Sequence, residues 1–156
     1  MSDNSTIKEA VTCAIRHIGT GIYSSGKIKD FLIRKGYSET VAADAVKHLI
    51  DTGYIDDVRA SRKVLASRSG KKQESRQYIY RRLLEAGIDP DCADDIAATL
   101  GSDDDTCLSL FEASFSYSAG DDLSGQEDDF IRLAQLRGYN IETAGRAFRM
   151  YLDSLK

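Results

Sequence analysis

The chain has 156 residues, with 21 lysines and arginines against 25 aspartates and glutamates, a formal charge of −4. At 42% hydrophobic and 29% charged it can bury a core, and one proline with 12 glycines excludes a collagen-like or low-complexity chain. No apolar run approaches the roughly 20 residues that span a bilayer, and the N-terminus lacks a basic-then-apolar signal, so the reading is a soluble, cytoplasmic protein with no membrane contact.

In chain order, the first predicted helix covers residues 7–18. Ile28, Phe31 and Leu32 then make an i, i+3, i+4 stripe that closes at Gly36, a residue suited to a left-handed helix end. Tyr37 follows as an apolar anchor, and Ser38 supplies an oxygen for the unpaired N–H groups of the next helix, whose buried face is Val41, Ala45, Val46, Leu49 and Ile50. Gly53 ends that helix, and the Asp56-Asp57 pair is placed to cap a helix over residues 57–69. The same helix, glycine, helix pattern returns around Gly87 and Gly138, so that the three glycines stand 51 residues apart both times. Apolar positions keep the offset: Ile28, Ile79 and Phe130; Leu32, Leu83 and Ala134; Ala42, Ala93 and Ala144. Pro90 follows Asp89 directly, in the first-turn slot where proline forfeits no hydrogen bond. A third entering helix is predicted over residues 104–116, and no strand alternation appears. The pattern predicts an all-α chain of three tandem three-helix repeats, about nine helices, divided at 1–55, 56–103 and 104–156. A repeat array stacks on itself, so a monomer is expected.

Charge is sorted along this array. Residues 59–82 carry nine bases, Arg59, Arg62, Lys63, Arg68, Lys71, Lys72, Arg76, Arg81 and Arg82, against the single acid Glu74. Residues 85–129 carry fourteen acids and no lysine or arginine. Arg59, Arg62 and Lys63 share one helix face by spacing, and the strip continues through the loop and along the next helix. A strip of this kind neutralises phosphates with release of counterions, or meets an acidic protein surface. The plainer reading is a solvated face whose bases pair with the acids that follow. Asp103 to Asp105 suit a helix N-terminus, where the helix dipole favours negative charge. Residues 121–129 read as a flexible acidic loop that repels nucleic acid. Tyr78 and Tyr80, beside the bases, are placed to stack on a base or an arginine, although a core role is the simpler one.

The order and spacing of these motifs resemble the RecX family, regulators of the bacterial recombinase RecA. The residues that carry the likeness are Gly53-Tyr54-Ile55-Asp56-Asp57, Ser67-Arg68, Ile79, Leu83, Gly87-Ile88 and the closing Leu136-Arg137-Gly138-Tyr139. The sequence departs from the family pattern at Ala60 and Tyr78. The resemblance implies an elongated, curved array of three repeats. It also implies binding in the groove of the RecA–DNA filament, with reduced ATP turnover and strand exchange in DNA repair and recombination. The nine bases of the strip are then the residues for the RecA filament and for single- or double-stranded DNA. The other reading from the residues is a direct DNA-binding protein built of helix-turn-helix-like repeats.

Chemistry of its own is not expected. His17 and His48 have no Glu or second His at i+4, and the acidic run lacks the alternating ligands, central glycine and closing Glu of a calcium loop, so no metal site is assigned. Cys13, Cys92 and Cys107 are odd in number and widely spaced, which excludes a disulfide framework and a zinc ribbon, and no flanking base activates them. Gly19-Thr20-Gly21 lacks the strand and third glycine of a dinucleotide loop, and no phosphate-binding GxxxxGK[ST] occurs. No catalytic residue and no cofactor are assigned, and the chain is read as a non-enzyme.

Overall fold

A computed structural model describes residues 2–156. Among these residues it contains nine α-helices and no strand: α1 (Ser2–Ile18), α2 (Ser25–Arg34), α3 (Glu39–Asp51), α4 (Asp57–Ala66), α5 (Arg76–Glu85), α6 (Pro90–Thr99), α7 (Asp103–Ser114), α8 (Glu127–Leu136) and α9 (Ile141–Ser154), with a 3-10 turn at Gly70–Lys72. None of these helices is long and apolar enough to cross a membrane. The all-α fold class and the helix order agree with the pattern of the sequence. Two helices stop early: α4 ends at Ala66 rather than 69, and α7 at Ser114 rather than 116. In the first case Ser69 Oγ bonds back to Ala66 O and Gly70 adopts φ +61°, because serine and glycine offer the backbone alternatives to the helix. In the second, Phe115 turns to extended backbone and stacks on Phe130 with ring centroids 3.8 Å apart.

By packing, the chain divides into two compact units, residues 1–64 with 83–95, and residues 65–82 with 96–156. In the first unit α1 and α2 pack on α3, and the core is built of small and branched side chains: Ala10, Ala14, Ile28, Leu32, Ala42, Ala45, Leu49 and Ile55. The alanines let the helices approach closely, and Ile28, Leu32 and Leu49 fill what remains. Ser38 caps α3 through Val41 N at 3.1 Å, and Asp56 caps α4 through Arg59 N at 3.2 Å.

In the second unit α7 and α8 pack on α9 around an aromatic centre. Phe130 is fully buried and meets Phe111 edge-on at 4.9 Å, Phe148 at 4.9 Å and Tyr151 at 5.1 Å. The N-cap of α7 is Ser102, whose Oγ accepts from Asp105 N, and Asp103 to Asp105 occupy the first turn. Residues 115–126 carry their own anchors: Leu123 is buried, Tyr117 N donates to Tyr151 Oη, and Asp121 and Asp122 accept from Ser118 N and Ser124 N. The stretch 121–126 is therefore a loop tied to its core, and α8 begins at Glu127, inside the segment read from the sequence as loop. Burial pushes the Cys107 thiol up to about 12, with Asp103 and Asp104 adding to the rise.

One junction is built twice. In the first unit the N-cap of α2, Ser24, accepts from Lys27 N and donates to Ala86 O at 2.7 Å, while Gly26 N donates to Gly87 O at 2.8 Å. Asp57 closes the set, taking Ser25 N at 2.7 Å and Asp89 N at 2.9 Å. In the second unit Ser75, which caps α5 through Tyr78 N, donates its own N–H to Arg137 O at 2.9 Å, and Asp103 takes Arg76 N at 2.9 Å. Ser24 and Ser75 are 51 residues apart, as are Gly87 and Gly138. A Cβ on Gly87 would stand 2.5 Å from Ser24 Oγ, and one on Gly138 would stand 2.5 Å from the Tyr78 ring.

Gly36, at φ +102°, would meet no atom within 4 Å, so Gly36→Ala carries only the left-handed penalty of about 1–2 kcal/mol. Gly87→Ala and Gly138→Ala add a steric clash and are expected to cost about 2–4 kcal/mol each, measured by chemical denaturation. Equal losses at all three positions would show that the two docked turns are no tighter than the open one. Cys107 is expected to resist thiol reagents at pH 8 in the native protein and to react once denaturant is added, since burial keeps it protonated and out of reach at that pH.

Candidate interaction surface

The nine bases of the strip fall into two groups with different surroundings. Arg59, Arg62 and Lys63 lie on α4 in the first unit, and all three are exposed. The opposite face of that helix buries Ser61, whose hydroxyl bonds to Val58 O. Val58 and Tyr54, half-exposed at 51% and 50%, add apolar surface beside the bases. Among the described residues no ion pair engages Arg59, Arg62 or Lys63.

In the second unit the segment from Ser67 to Ser75 is a structured loop. Arg137 donates to Lys71 O through Nε at 3.3 Å and Nη2 at 3.0 Å, and the 3-10 turn packs against α7. Lys71 and Lys72 are presented at its exposed tip, also without an ion pair among the described residues. Arg81 is exposed and lies over the Tyr78 ring, its guanidinium carbon 5.1 Å from the centroid.

Three bases are engaged within the fold. Glu74 is buried, with only 5% of its side chain exposed, and it holds Arg82 at 3.3 Å and Arg68 at 3.7 Å. The geometry follows from charge: a carboxylate withdrawn from water needs cationic partners, and two arginines of the same segment supply them. Arg76 sends its guanidinium to the carbonyls of Leu100 and Gly101, just past the end of α6, where the helix dipole favours a cation. Arg68, Arg76 and Arg82 thus serve the fold first, which leaves Arg59, Arg62 and Lys63 as the open bases of the first unit and Lys71, Lys72 and Arg81 as those of the second.

α6 carries Asp91, Asp94 and Asp95 and no base at all. Tyr78 is committed to the fold, its ring packed over Gly138 and under Arg81. Of the thiols, Cys107 is buried and Cys13 and Cys92 are half-buried. Among the described residues no group of three or more His, Cys, Asp or Glu side chains is placed to hold a metal ion. His17 stacks on Phe31 at 3.8 Å. The sequence reading missed Arg137 and Glu74 as organisers of the basic loop. The signal was present, since Arg137 precedes the glycine that stands 51 residues after Gly87, and Glu74 is the lone acid among nine bases.

No family model matches the sequence. The chain is 31% identical over 88 residues to Regulatory protein RecX of Pelodictyon phaeoclathratiforme, across 56% of this chain and 54% of that protein. It is 24% identical over 94 residues to Regulatory protein RecX of Chlorobium limicola, across 60% of this chain and 58% of that one. These matches span little more than half the length of the curated relatives. The fold is similar to the crystal structure of RecX from Lactobacillus salivarius, with a TM-score of 0.67 at 16% identity, over 95% of this chain and 97% of that one. The chain is thus similar to RecX regulatory proteins in sequence over little more than half its length, and similar in fold to a solved RecX structure.

Proposed function

We propose that this chain regulates the RecA recombinase by binding the RecA–DNA filament in its groove and slowing ATP hydrolysis and strand exchange. The observation that carries the reading is the open set of six cations, Arg59, Arg62, Lys63, Lys71, Lys72 and Arg81, with no carboxylate holding them among the described residues. Such cations gain from phosphates or from an acidic protein face, and several weak contacts on one chain sum to useful affinity. Regulation then needs no chemistry from this protein. A ligand that fits one state of the filament better than another shifts the filament toward that state by the difference in affinity. The likeness to RecX proteins supports the choice of filament, and the acids of α6 weigh against the direct reading of DNA by helix-turn-helix repeats.

The test is RecA ATP hydrolysis on single-stranded DNA with rising amounts of this protein, beside its own binding to that DNA. Suppression of turnover without tight binding to naked DNA is expected. Tight DNA binding with unchanged turnover would favour the direct DNA-binding reading instead. Replacing Arg59, Arg62 and Lys63 together with Ala is expected to weaken filament binding about 10-fold or more. The same triple change should flatten the slope of log affinity against log salt by about 2, if each base meets one phosphate. Undiminished suppression by the triple variant across all salt concentrations would remove this surface from the proposal.

A further inference from the structure

The junction that occurs in both units is built with one difference, and the difference concerns the tip that carries Lys71 and Lys72. In the first unit the docked turn is Ala86-Gly87, and the methyl group of Ala86 cannot reach the loop before α2; the residues 51 positions before Lys71 and Lys72 are Thr20 and Gly21. In the second unit the residue 51 positions after Ala86 is Arg137, and the loop before α5 carries the two lysines. The first junction closes without an arginine, through Ser24 Oγ and Gly26 N on the carbonyls of Ala86 and Gly87. Docking of such a turn therefore does not require a guanidinium, and the side chain of Arg137 is left for another task.

The Arg137 carbonyl accepts from Ser75 N at 2.9 Å, and its guanidinium donates to Lys71 O through Nε at 3.3 Å and Nη2 at 3.0 Å, so one residue grips both ends of the stretch 71–75. Between those ends Lys72 N donates to Ser69 O at 3.1 Å and Gln73 N to Gly70 O at 3.2 Å. Gln73 gives its side-chain amide to Glu74 O at 2.9 Å and also meets the Tyr139 hydroxyl, which pairs with Thr106 Oγ1 at 2.8 Å. The backbone of the tip is thus fixed from the protein side, while the side chains of Lys71 and Lys72 are exposed and without an ion pair among the described residues. A loop with Ser69 and Gly70 in it would otherwise lose conformational freedom each time its lysines were held by a partner.

We propose that Arg137 is a positioning residue for filament binding: its guanidinium holds the backbone at Lys71 so that the ammonium groups of Lys71 and Lys72 stand ready for phosphates of the DNA in the filament. The inference rests on the filament reading above and adds to it a residue that lies outside the basic strip. A lysine carries its charge on a flexible stem, so its backbone is the part that the fold can fix. Ordering that backbone before binding takes the loss of freedom out of the association step and raises affinity without a new contact. In this role Arg137 acts through the two lysines, and its effect vanishes when they are absent. An arginine that met a phosphate itself would contribute with or without them.

Two measurements on the full chain separate the positioning role from the filament reading. Hydrogen exchange of the protein alone follows the amides of Lys72 and Gln73 in wild type and in Arg137→Gln; exchange there is expected to quicken at least about 10-fold, while Gly26 in the first unit's junction keeps its rate. Binding to RecA filaments on single-stranded DNA is then measured for wild type, Arg137→Gln, Lys71→Ala with Lys72→Ala, and all three changes together. The double lysine change is expected to lower affinity about 10-fold and to reduce the slope of log affinity against log salt by about 1–2. Arg137→Gln is expected to lower affinity about 3-fold or more in the wild type and to add no loss to the lysine variant. Circular dichroism checks the fold of each variant, and Arg137→Lys, which keeps the charge and one donor group, stands in where Arg137→Gln does not fold. Unchanged exchange at the tip, or the same loss from Arg137→Gln with and without the lysines, would overturn the positioning role and leave the filament reading standing. An unchanged salt slope in the lysine variant would overturn the assignment of the tip to phosphates. A wild type that does not bind the filament would overturn the filament reading, and this inference with it, whatever the exchange rates.

Discussion

The first amides of a helix have no partner within that helix, and a helix that ends on a left-handed glycine leaves carbonyls facing outward. Here the two deficits meet. The start of α2, at Ser24 and Gly26, docks on the carbonyls of Ala86 and Gly87, and the start of α5, at Ser75, docks on the carbonyl of Arg137. The glycines are required twice over, for a backbone at φ +85° and +91° and for the absence of a side chain where Ser24 and the Tyr78 ring stand. Acids at the starts of α4 and α7, Asp57 and Asp103, then take the next free amides. These bonds join segments that are distant in sequence, and each compact unit is closed by one such junction.

The open bases of the second unit depend on the same docking. Because Ser75 is fixed to the Arg137–Gly138 turn, the side chain of Arg137 lies within reach of Lys71 O, and the loop before α5 is held from both ends. Glu74 is buried next to the junction and draws Arg68 and Arg82 inward. What remains outside is the tip with Lys71 and Lys72. The surface is thus a residue of the fold's own electrostatics: bases near the buried carboxylate or near a helix C-terminus are consumed, and those beyond their reach stay open to a partner.

The acidic half of the chain follows a parallel rule. Asp103 to Asp105 sit in the first turn of α7, and Glu127 to Asp129 in the first turn of α8, where the amide dipoles favour them. Asp121 and Asp122 accept loop amides, and the two backbone and side-chain bonds from Ser124 hold the Asp122 carboxyl below the usual range. The acids therefore organise helix starts and a loop turn, and several of their charges still face solvent around an apolar groove.

Much of the fold was legible because it depends on local terms. The 51-residue interval of the glycines, the i, i+3, i+4 stripes and the capping residues Ser38, Asp56 and Asn140 each act within a few positions, and they place the helices and the turns between them. The candidate surface was legible in composition only. Nine bases in one stretch are visible in the sequence, but which of them remain open is decided by neighbours far along the chain: Leu100 and Gly101 for Arg76, and the depth at which Glu74 is buried for Arg68 and Arg82. The sequence by itself determined helix positions, left-handed turns and the sorting of charge, because those follow from the chemistry of neighbouring residues. Only the tertiary structure decided which charges are spent inside and which turns are docked or open, because burial and long-range hydrogen bonding exist only once distant segments have been brought together.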